Sequence, residues 1–555
     1  MMAKFFPFSI IVFIAISTVF AFDDIDSSKC SSVRYEDRID CHPDPPVSRE
    51  NCLERKCCWQ ELENSSIANQ QSSNLPILPK IGIPSCYFGK NYVGYRVENS
   101  DHSSSSLSLN LKRIKSSGFL FDIKNVKVNI EELSDKVVRI RFTDNDDPNR
   151  FEVPIPKLNL PKRSSSSSLL YNVSIVDNNR LIIRRLETNQ SIIDINLAQL
   201  IYSDQFIQVT TRLPSNYIYG IGEHRAPFRK STYWTRYTQW VSGLYPRPDH
   251  ALYGNHPFYL VVEDESPSKS ASGVFLFNSN AMDIITQPSP AITFRTIGGI
   301  LDFFVFFGPK PEQVVQQYHH LIGLPAMPPF WSLGYQQCRY GYNNFTNLNQ
   351  TYWRTRQAGI PMDVQWTDID MFDSYNDFTY NHKQFKELPD FIRNVLHKNG
   401  QKFIPMFDCG ISAGEPKKSY RPYDYGIEMD LFIKNSTDQL FLGKVWNKNT
   451  TVWPDFSHPN AIKYWSDMFA EYYKTIKFDG AWIDMNEPTS FWSGQENGCP
   501  EKSRYENPQY VPGMVNENLT LRYMTLCMTA KHYHEQLHYN LHNLYSLSEA
   551  IATNA

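Results

Sequence analysis

Three short apolar runs in the second half of this chain each lead into an aspartate, and the stretches between them have the period of helices. Asp363-Val364-Gln365-Trp366 leads to Asp368 and Asp370, Phe403–Phe407 to Asp408, and Ala481-Trp482-Ile483 to Asp484. Ser332–Tyr335 reads as an earlier strand of the same series. Leu388–Lys398 carries Phe391, Ile392, Val395 and Leu396 at helical spacing and stops before Gly400, which suits a C-cap. Ala461–Lys477 places Ile462, Trp465, Phe469 and Tyr472 at the same spacing. Alternation of this kind builds a parallel sheet. Its strand bodies fill a core, and polar residues at the strand C-termini do the chemistry. An acid at a strand end can merely cap the next helix, but three in one register at one rim favour a shared site.

The first half has a different period. Val138, Ile140 and Phe142 alternate with Arg139 and Arg141, as in a half-buried strand. Arg180–Leu186, Gly273–Phe277 and Leu301–Phe307 are further strand candidates, and Ser103–Ser106 and Ser164–Ser168 read as low-complexity loops. Residues 93–325 therefore read as an all-β unit, most economically a β-sandwich. The pattern changes at Pro325-Ala326-Met327-Pro328-Pro329, which opens a βα unit over 326–555. The expected fold is multidomain: a small disulfide-rich module, a β-sandwich, then a (β/α)8 TIM-type barrel of which about the first half, four of eight βα units, is present.

Compartment signals agree with one another. Lys4, an apolar run from Phe5 to Phe22, and Val19-Phe20-Ala21 before Asp23-Asp24 read as a signal peptide over residues 1–21; an uncleaved anchor is the rival reading. Asn64, Asn172, Asn189, Asn344, Asn349, Asn435, Asn449 and Asn518 each open an Asn-x-Ser/Thr glycan acceptor site. Six of the ten cysteines (Cys30, Cys41, Cys52, Cys57, Cys58, Cys86) crowd into one Pro-rich segment and read as a disulfide framework whose pairing spacing alone leaves open. A zinc site suits them poorly, because no Cys-x2-Cys pair occurs. Cys499 and Cys527 can close a loop, and Cys338 and Cys409 read as buried free thiols. The net charge of −3 is spread without a basic stripe, which argues against a nucleic-acid partner. The 32 Tyr, 35 Phe and 11 Trp mostly build cores, with a minority free to stack on sugar rings.

Trp482-Ile483-Asp484-Met485-Asn486-Glu487-Pro488 resembles the signature of glycoside hydrolase family 31, in particular its trefoil-bearing α-glucosidases, the lysosomal acid and intestinal maltase–sucrase group. Tyr219-Gly220-Ile221-Gly222-Glu223-His224, Asn278-Ser279-Asn280-Ala281-Met282-Asp283, Arg421-Pro422-Tyr423-Asp424 and Tyr539-Asn540-Leu541-His542-Asn543-Leu544-Tyr545 extend the likeness from Cys30 to Ala555. The cysteine order resembles a trefoil (P-type) module over residues 28–92. That implies Cys30–Cys58, Cys41–Cys57 and Cys52–Cys86, with Asn64 to Asn74 as an inserted loop.

The resemblance implies a retaining exo-α-glucosidase acting on maltose- or glycogen-type α-glucoside oligo- or polysaccharides. Asp484 is then the nucleophile and needs a second carboxyl about 5 Å away as acid/base. Asp368 would bind glucose hydroxyls, and Tyr340, Ile411, Trp446, Trp482 and Met485 would line the innermost pocket. Glu487, three residues past the nucleophile, fits an orienting acid better than a proton donor. No cofactor or metal is implied. The compartment is the secretory pathway, with lysosome and extracellular space both open; a membrane is a partner only if the N-terminal apolar segment stays uncleaved.

Two departures stand out. Trp234-Thr235-Arg236-Tyr237 replaces the family's aspartate against the outer sugar, which puts leaving-group specificity in doubt. The family's acid/base aspartate, clamping arginine and later histidine are expected beyond residue 555, so this chain alone is expected neither to fold stably nor to turn over maltose. The alternative reading is a non-catalytic carbohydrate-binding protein built on trefoil and sandwich.

His534-Glu535-Gln536-Leu537-His538 also fits H-E-x-x-H, a zinc-protease pattern that requires both histidines on one helix face. His542 would be the third ligand, but it lies two turns, about 12 Å, from His534 along a helix. A solvent-facing or capping role for this His-rich segment, which includes His532, is the expectation.

Overall fold

A computed structural model of the chain describes residues 30–61, 82–163, 168–243, 245, 251–263, 269–513 and 520–555. The signal-like segment, the whole Asn64–Asn74 insertion, the Ser164–Ser167 run and Asn518 lie outside the described residues.

Three disulfides organise the N-terminal module: Cys30–Cys58, Cys41–Cys57 and Cys52–Cys86. Ser48 caps its short helix Arg49–Glu54 by accepting from the Asn51 amide at 3.1 Å. The module docks on the sandwich through Asp40. Its carboxylate accepts from Arg295 at 3.0 Å and its carbonyl accepts from Gln208 at 2.8 Å.

The middle of the chain is a sandwich of two antiparallel sheets. One runs from Thr235–Gln239 through Met282–Gln287, Ala291–Thr296, Ile207–Arg212, Ser191–Asn196 and Arg180–Arg185 to Tyr171–Val176, and Ile201–Tyr202 pairs with Ile207–Arg212 off this path. The other runs from Ile218–His224 through Ala251–Val262, Ala271–Leu276, Leu301–Phe306, Val137–Asp144, Asn125–Glu132 and Ser106–Arg113 to Tyr95–His102. Asn125–Glu132 and Val137–Asp144 bury alternate residues, as a period of two requires. Ala271–Leu276 and Leu301–Phe306 are buried throughout, because helix Pro311–Ile322 covers their second face with Val314, Tyr318 and Leu321. Gly273 permits that approach: a Cβ there would lie 2.5 Å from Val314 Cγ1. Ser103–Ser106 forms a tight hairpin turn held by the Ser103 hydroxyl, which accepts from the Ser106 amide at 3.1 Å.

The third unit holds a four-stranded parallel sheet in the order Gln336–Gln337, Val364–Thr367, Lys402–Asp408, Trp482–Asp484. Ser332–Tyr335 is not its first strand. Phe330–Leu333 forms a 3-10 turn, and pairing starts only at Gln336. The Pro328-Pro329 pair explains the difference, since it presets the turn's entry and supplies no amide donors. The helical stretch from Leu388 is three short pieces: α over Leu388–Phe391, π over Ile392–Leu396 and 3-10 over His397–Asn399. It ends at Gly400 in the left-handed region, φ 71°. Helix Ala461–Thr475 packs Tyr464, Trp465, Met468 and Tyr472 inward.

Candidate active site

The rim of the parallel sheet is built by the strand ends. Asp408 and Asp484 are register partners on neighbouring strands. Asp368 follows the Val364–Thr367 strand, where Thr367 pairs with Pro405, so it sits two register positions behind Asp408. The three acids share one rim but not one level. Asp368 and Asp484 are half-buried, whereas Asp408 is 5 % exposed.

Local structure sets each side chain. Asp368 accepts from the Ile369 amide at 2.6 Å as it caps a 3-10 turn. Asp370 accepts from the amides of Gly341 at 3.3 Å and Asn343 at 2.7 Å, which ties down the loop bearing Tyr340. Met485 takes a left-handed conformation, φ 61°, directly after the Trp482–Asp484 strand, and turns the chain at the rim. Its carbonyl accepts from the Thr489 amide at 2.9 Å, while the Thr489 hydroxyl donates to Glu487 at 2.6 Å.

Electrostatics mark the same place. Burial raises the pKa of Asp484, opposed by the Met485 amide. Burial also raises Asp368, which Asp370 and Asp484 push further up against the Ile369 amide. Glu487 is raised by burial against the Thr489 hydroxyl. Asp408 rises to about 8, chiefly by burial, with Asp484 and Glu487 adding to it against the Gly410 amide. Carboxyls that perturb one another at a strand rim are a functional-site signature.

Around this group Trp482 meets Trp366 edge to face at 5.6 Å, and Trp446 meets Phe491 likewise at 4.7 Å. Tyr340 is 60 % exposed. Ile411 is fully buried against Tyr420, Phe432 and Val452, so it backs this region and presents no free surface. Cys338, just past the Gln336–Gln337 strand, is exposed and not buried as expected; partial shielding of its sulfur, with Asp368 and Asp370, raises the thiol to about 11. Cys409 is buried and donates weakly to the Met485 carbonyl at 3.4 Å.

Sequence reasoning overlooked two neighbours. Glu549, fully buried on helix Tyr545–Asn554, faces Asn486 and is raised well above the carboxylate range by burial. Tyr253 reaches over from the sandwich, its phenol raised by burial, Glu487 and Asp484. No spacing rule points to either, because both arrive from distant elements.

The stretch Trp234-Thr235-Arg236-Tyr237 enters a sandwich strand, not a substrate loop. Tyr237 is fully buried in the sandwich core and donates to the Ser231 carbonyl, so it does not stand in for an acid against a sugar. The H-E-x-x-H segment is not one helix. Tyr533–Glu535 is a 3-10 turn in which His534 is left-handed, φ 56°, and a helix begins only at His538. His534 and Glu535 are exposed. His538 and His542 are buried with every ring nitrogen engaged, contrary to a solvent-facing role.

Cys499 and Cys527 are bonded to each other. Among the acceptor sites, Asn172, Asn189 and Asn344 are exposed, while Asn349 and Asn435 are half-buried. Asn449 is also half-buried, and its amide donates to Glu415 at 3.1 Å.

Comparison with known proteins separates the units in the same order. The trefoil (P-type) domain matches residues 30–89, the glycosyl hydrolase 31 N-terminal galactose mutarotase-like domain 127–284, and the glycosyl hydrolases family 31 TIM-barrel domain 325–555. The chain belongs to glycosyl hydrolase family 31. It is 41% identical over 519 residues to the lysosomal alpha-glucosidase of Rattus norvegicus, covering 93% of this chain and 52% of the relative. It is 38% identical over 532 residues to the intestinal sucrase-isomaltase of Oryctolagus cuniculus, covering 93% and 27%. The chain thus spans about half the length of the lysosomal family 31 relatives it matches. Among solved structures, a glucosidase II alpha subunit superposes with a TM-score of 0.66 at 18% identity, covering 84% of this chain and 56% of that one. A family 31 dextranase of Flavobacterium johnsoniae gives 0.63 at 17%, covering 84% and 53%. These likenesses speak for the fold. Among the described residues no helix is long and apolar enough to cross a membrane.

Proposed function

We propose that this chain carries the nucleophile-bearing part of a retaining exo-α-glucosidase that removes terminal α-linked glucose from maltose- or glycogen-type substrates. Asp484 attacks the anomeric carbon and forms a covalent glucosyl-enzyme. Asp368 accepts hydrogen bonds from the hydroxyls of the bound glucose. Tyr340, Trp446, Trp482 and Met485 line the sugar site with Ile411 behind them, and Glu487, held by Thr489, orients the strand end. The acid/base is assigned to none of residues 1–555. Losing general acid help costs about 10²–10⁴ in rate, so this chain alone is expected to react once with an activated glucoside and not to turn over. Domain limits of 28–92, 93–325 and 326–555 and a secretory or lysosomal setting go with this reading.

The observation that carries it is the placement of Asp484: last residue of an edge strand of the parallel sheet, level with the buried Asp408, and electrostatically coupled to Asp368. A mechanism-based cyclophellitol-type inhibitor tests it. Mass spectrometry should find the adduct on Asp484 in the native chain and none in Asp484→Ala. An adduct on another side chain rejects the assignment.

A further inference from the structure

Four hydrogen bonds run in line across the junction of sandwich and barrel. Asp455 Oδ1 meets His532 Nδ1 at 2.9 Å, and His532 Nε2 meets His538 Nδ1 at 3.0 Å. His538 Nε2 meets His542 Nδ1 at 2.9 Å, and His542 Nε2 meets the Val241 carbonyl at 2.6 Å. All three rings are buried, and His542 stacks on Trp240 at 3.8 Å.

Each contact needs one proton between its two heavy atoms. The Val241 carbonyl only accepts. His542 therefore carries its proton on Nε2, and its Nδ1 is an acceptor. His538 must then donate from Nε2 and accept on Nδ1, and His532 must donate from Nε2. Three neutral rings have now used their three protons. His532 Nδ1 would face Asp455 Oδ1 lone pair to lone pair. That carboxylate accepts elsewhere as well: Oδ1 from the Ser457 amide at 3.0 Å and hydroxyl at 2.7 Å, Oδ2 from the Tyr533 amide at 2.5 Å. Four contacts between two terminal acceptors require a fourth proton.

We infer that Asp455, His532, His538 and His542 hold one shared proton beyond the three of neutral imidazoles, and that this proton clamps the sandwich edge at Val241 to the barrel. With it the buried set is neutral; without it the set holds an uncompensated negative charge and one broken contact. Neighbouring ionisable groups do not supply the balance. Lys531 points to Asp438 and Glu535. Tyr545 donates to the Pro454 carbonyl at 2.9 Å, and the His458 ring lies against Tyr533 at 4.8 Å, with its Nδ1 accepting from the Asn460 amide. Burial pushes Asp455 up, and the facing His532, with the Ser457 hydroxyl and the Tyr533 amide, more than offsets it, so the acid is held below the usual carboxylate range. His538 is held neutral by burial and by the other two rings, and His542 is lowered to about 3, chiefly by burial. The donor count puts the extra proton in the one contact it leaves unfilled, between His532 Nδ1 and the Asp455 carboxylate.

The clamp backs the candidate site. Val241 lies two residues before Gly243, whose amide donates to the Met524 carbonyl at 3.1 Å and which packs on Thr489, the partner of Glu487. Only this link to the site rests on the glucosidase reading.

The sign of the pH dependence follows from counting protons. Above about 6.5 the unfolded histidines hold no extra proton while the folded line holds one. Folding therefore weakens as pH rises through the value at which the line gives its proton up. In Asp455→Asn the side-chain amide can donate to His532 Nδ1, so neutral rings satisfy all four contacts and the proton is not needed. Urea unfolding of the whole chain, native and Asp455→Asn, from pH 5.5 to 9 tests this. The ratio of native to variant folding constants should fall with rising pH, by up to about tenfold per unit, and then level off. A ratio independent of pH overturns the proposal. Imidazole ¹⁵N spectra of the native chain at pH 6.5 test it even if the variant fails to fold: His532 should be protonated on both nitrogens, and His538 and His542 on Nε2 alone. A singly protonated His532 overturns it. Failure of Asp484 labelling with these protonation states intact would reject the glucosidase reading and leave the clamp standing.

Discussion

Asp408 receives one hydrogen bond, from the Gly410 amide at 2.9 Å, and is otherwise held out of water beside two further acids. Its pKa of about 8 makes the folded chain bind a proton that the unfolded chain has released. The stabilisation is full below about pH 4 and is lost as pH rises toward 8, at most about 1.4 kcal/mol per unit. Asp408→Asn should therefore flatten part of the decline in urea stability between pH 4 and 8. Asp377 and Glu549, also raised by burial, leave the remainder. A buried pair behaves differently. Arg185 donates to both oxygens of Glu263, at 2.9 and 2.7 Å, and to the carbonyls of Phe307 at 2.8 Å and Ala271 at 3.0 Å. Arg185→Met should cost about 3–5 kcal/mol in a denaturant titration by stranding Glu263. Adding Glu263→Leu should recover most of it. Sequence alone singled out Asp484 and Asp368 because each follows an apolar run. It passed over Glu549 because an acid in a helix near the C-terminus reads as solvated surface until the fold buries it.

At the scale of elements, helix Ala461–Thr475 joins the sheet to the last helix. Trp465 contacts Phe378, Phe456 and Phe469 edge to face, at 5.2, 5.1 and 5.4 Å, and its indole N–H donates to Thr553 at 2.9 Å. Trp465→Ala should cost about 3–5 kcal/mol, measured as a fall in thermal or urea stability. This helix was legible because its apolar spacing matches 3.6 residues per turn. The stretch after Leu388 has the same spacing, yet it splits into α, π and 3-10 pieces. Apolar period reports which face is buried, and that is nearly the same for all three helical forms. The reading of Ser332–Tyr335 as a strand failed for a related reason: a short run lacks the length to separate a turn from a strand.

At the scale of the whole molecule, two motif stretches that looked independent turn out to dock on each other. Asn280 donates to Asn540 Oδ1 at 2.8 Å and to the Tyr539 carbonyl at 3.3 Å, and Ser279 donates to the Asn540 carbonyl at 3.1 Å. Tyr539 in turn donates to the Ile297 carbonyl at 2.5 Å. Asn280→Ala should leave Asn540 Oδ1 and the Tyr539 carbonyl without that donor and weaken the junction by about 1–3 kcal/mol. Hydrogen exchange should then quicken in residues 539–545 before it does in the sandwich core.

What the sequence determined by itself was the kind of each unit and the run of acids at the ends of the parallel strands. Period two, period 3.6 and a cysteine cluster are local properties, and an acid after an apolar run keeps its meaning wherever the strand goes. What only the tertiary structure decided was depth and partnership. It settled which acids lose water, which histidine nitrogens face one another, that Cys338 is open while Ile411 is closed, and that Tyr237 belongs to a core. Those depend on how segments pack, from histidines one turn apart to Val241 and His542, 301 positions apart, because desolvation and these hydrogen bonds exist only once the surfaces have met.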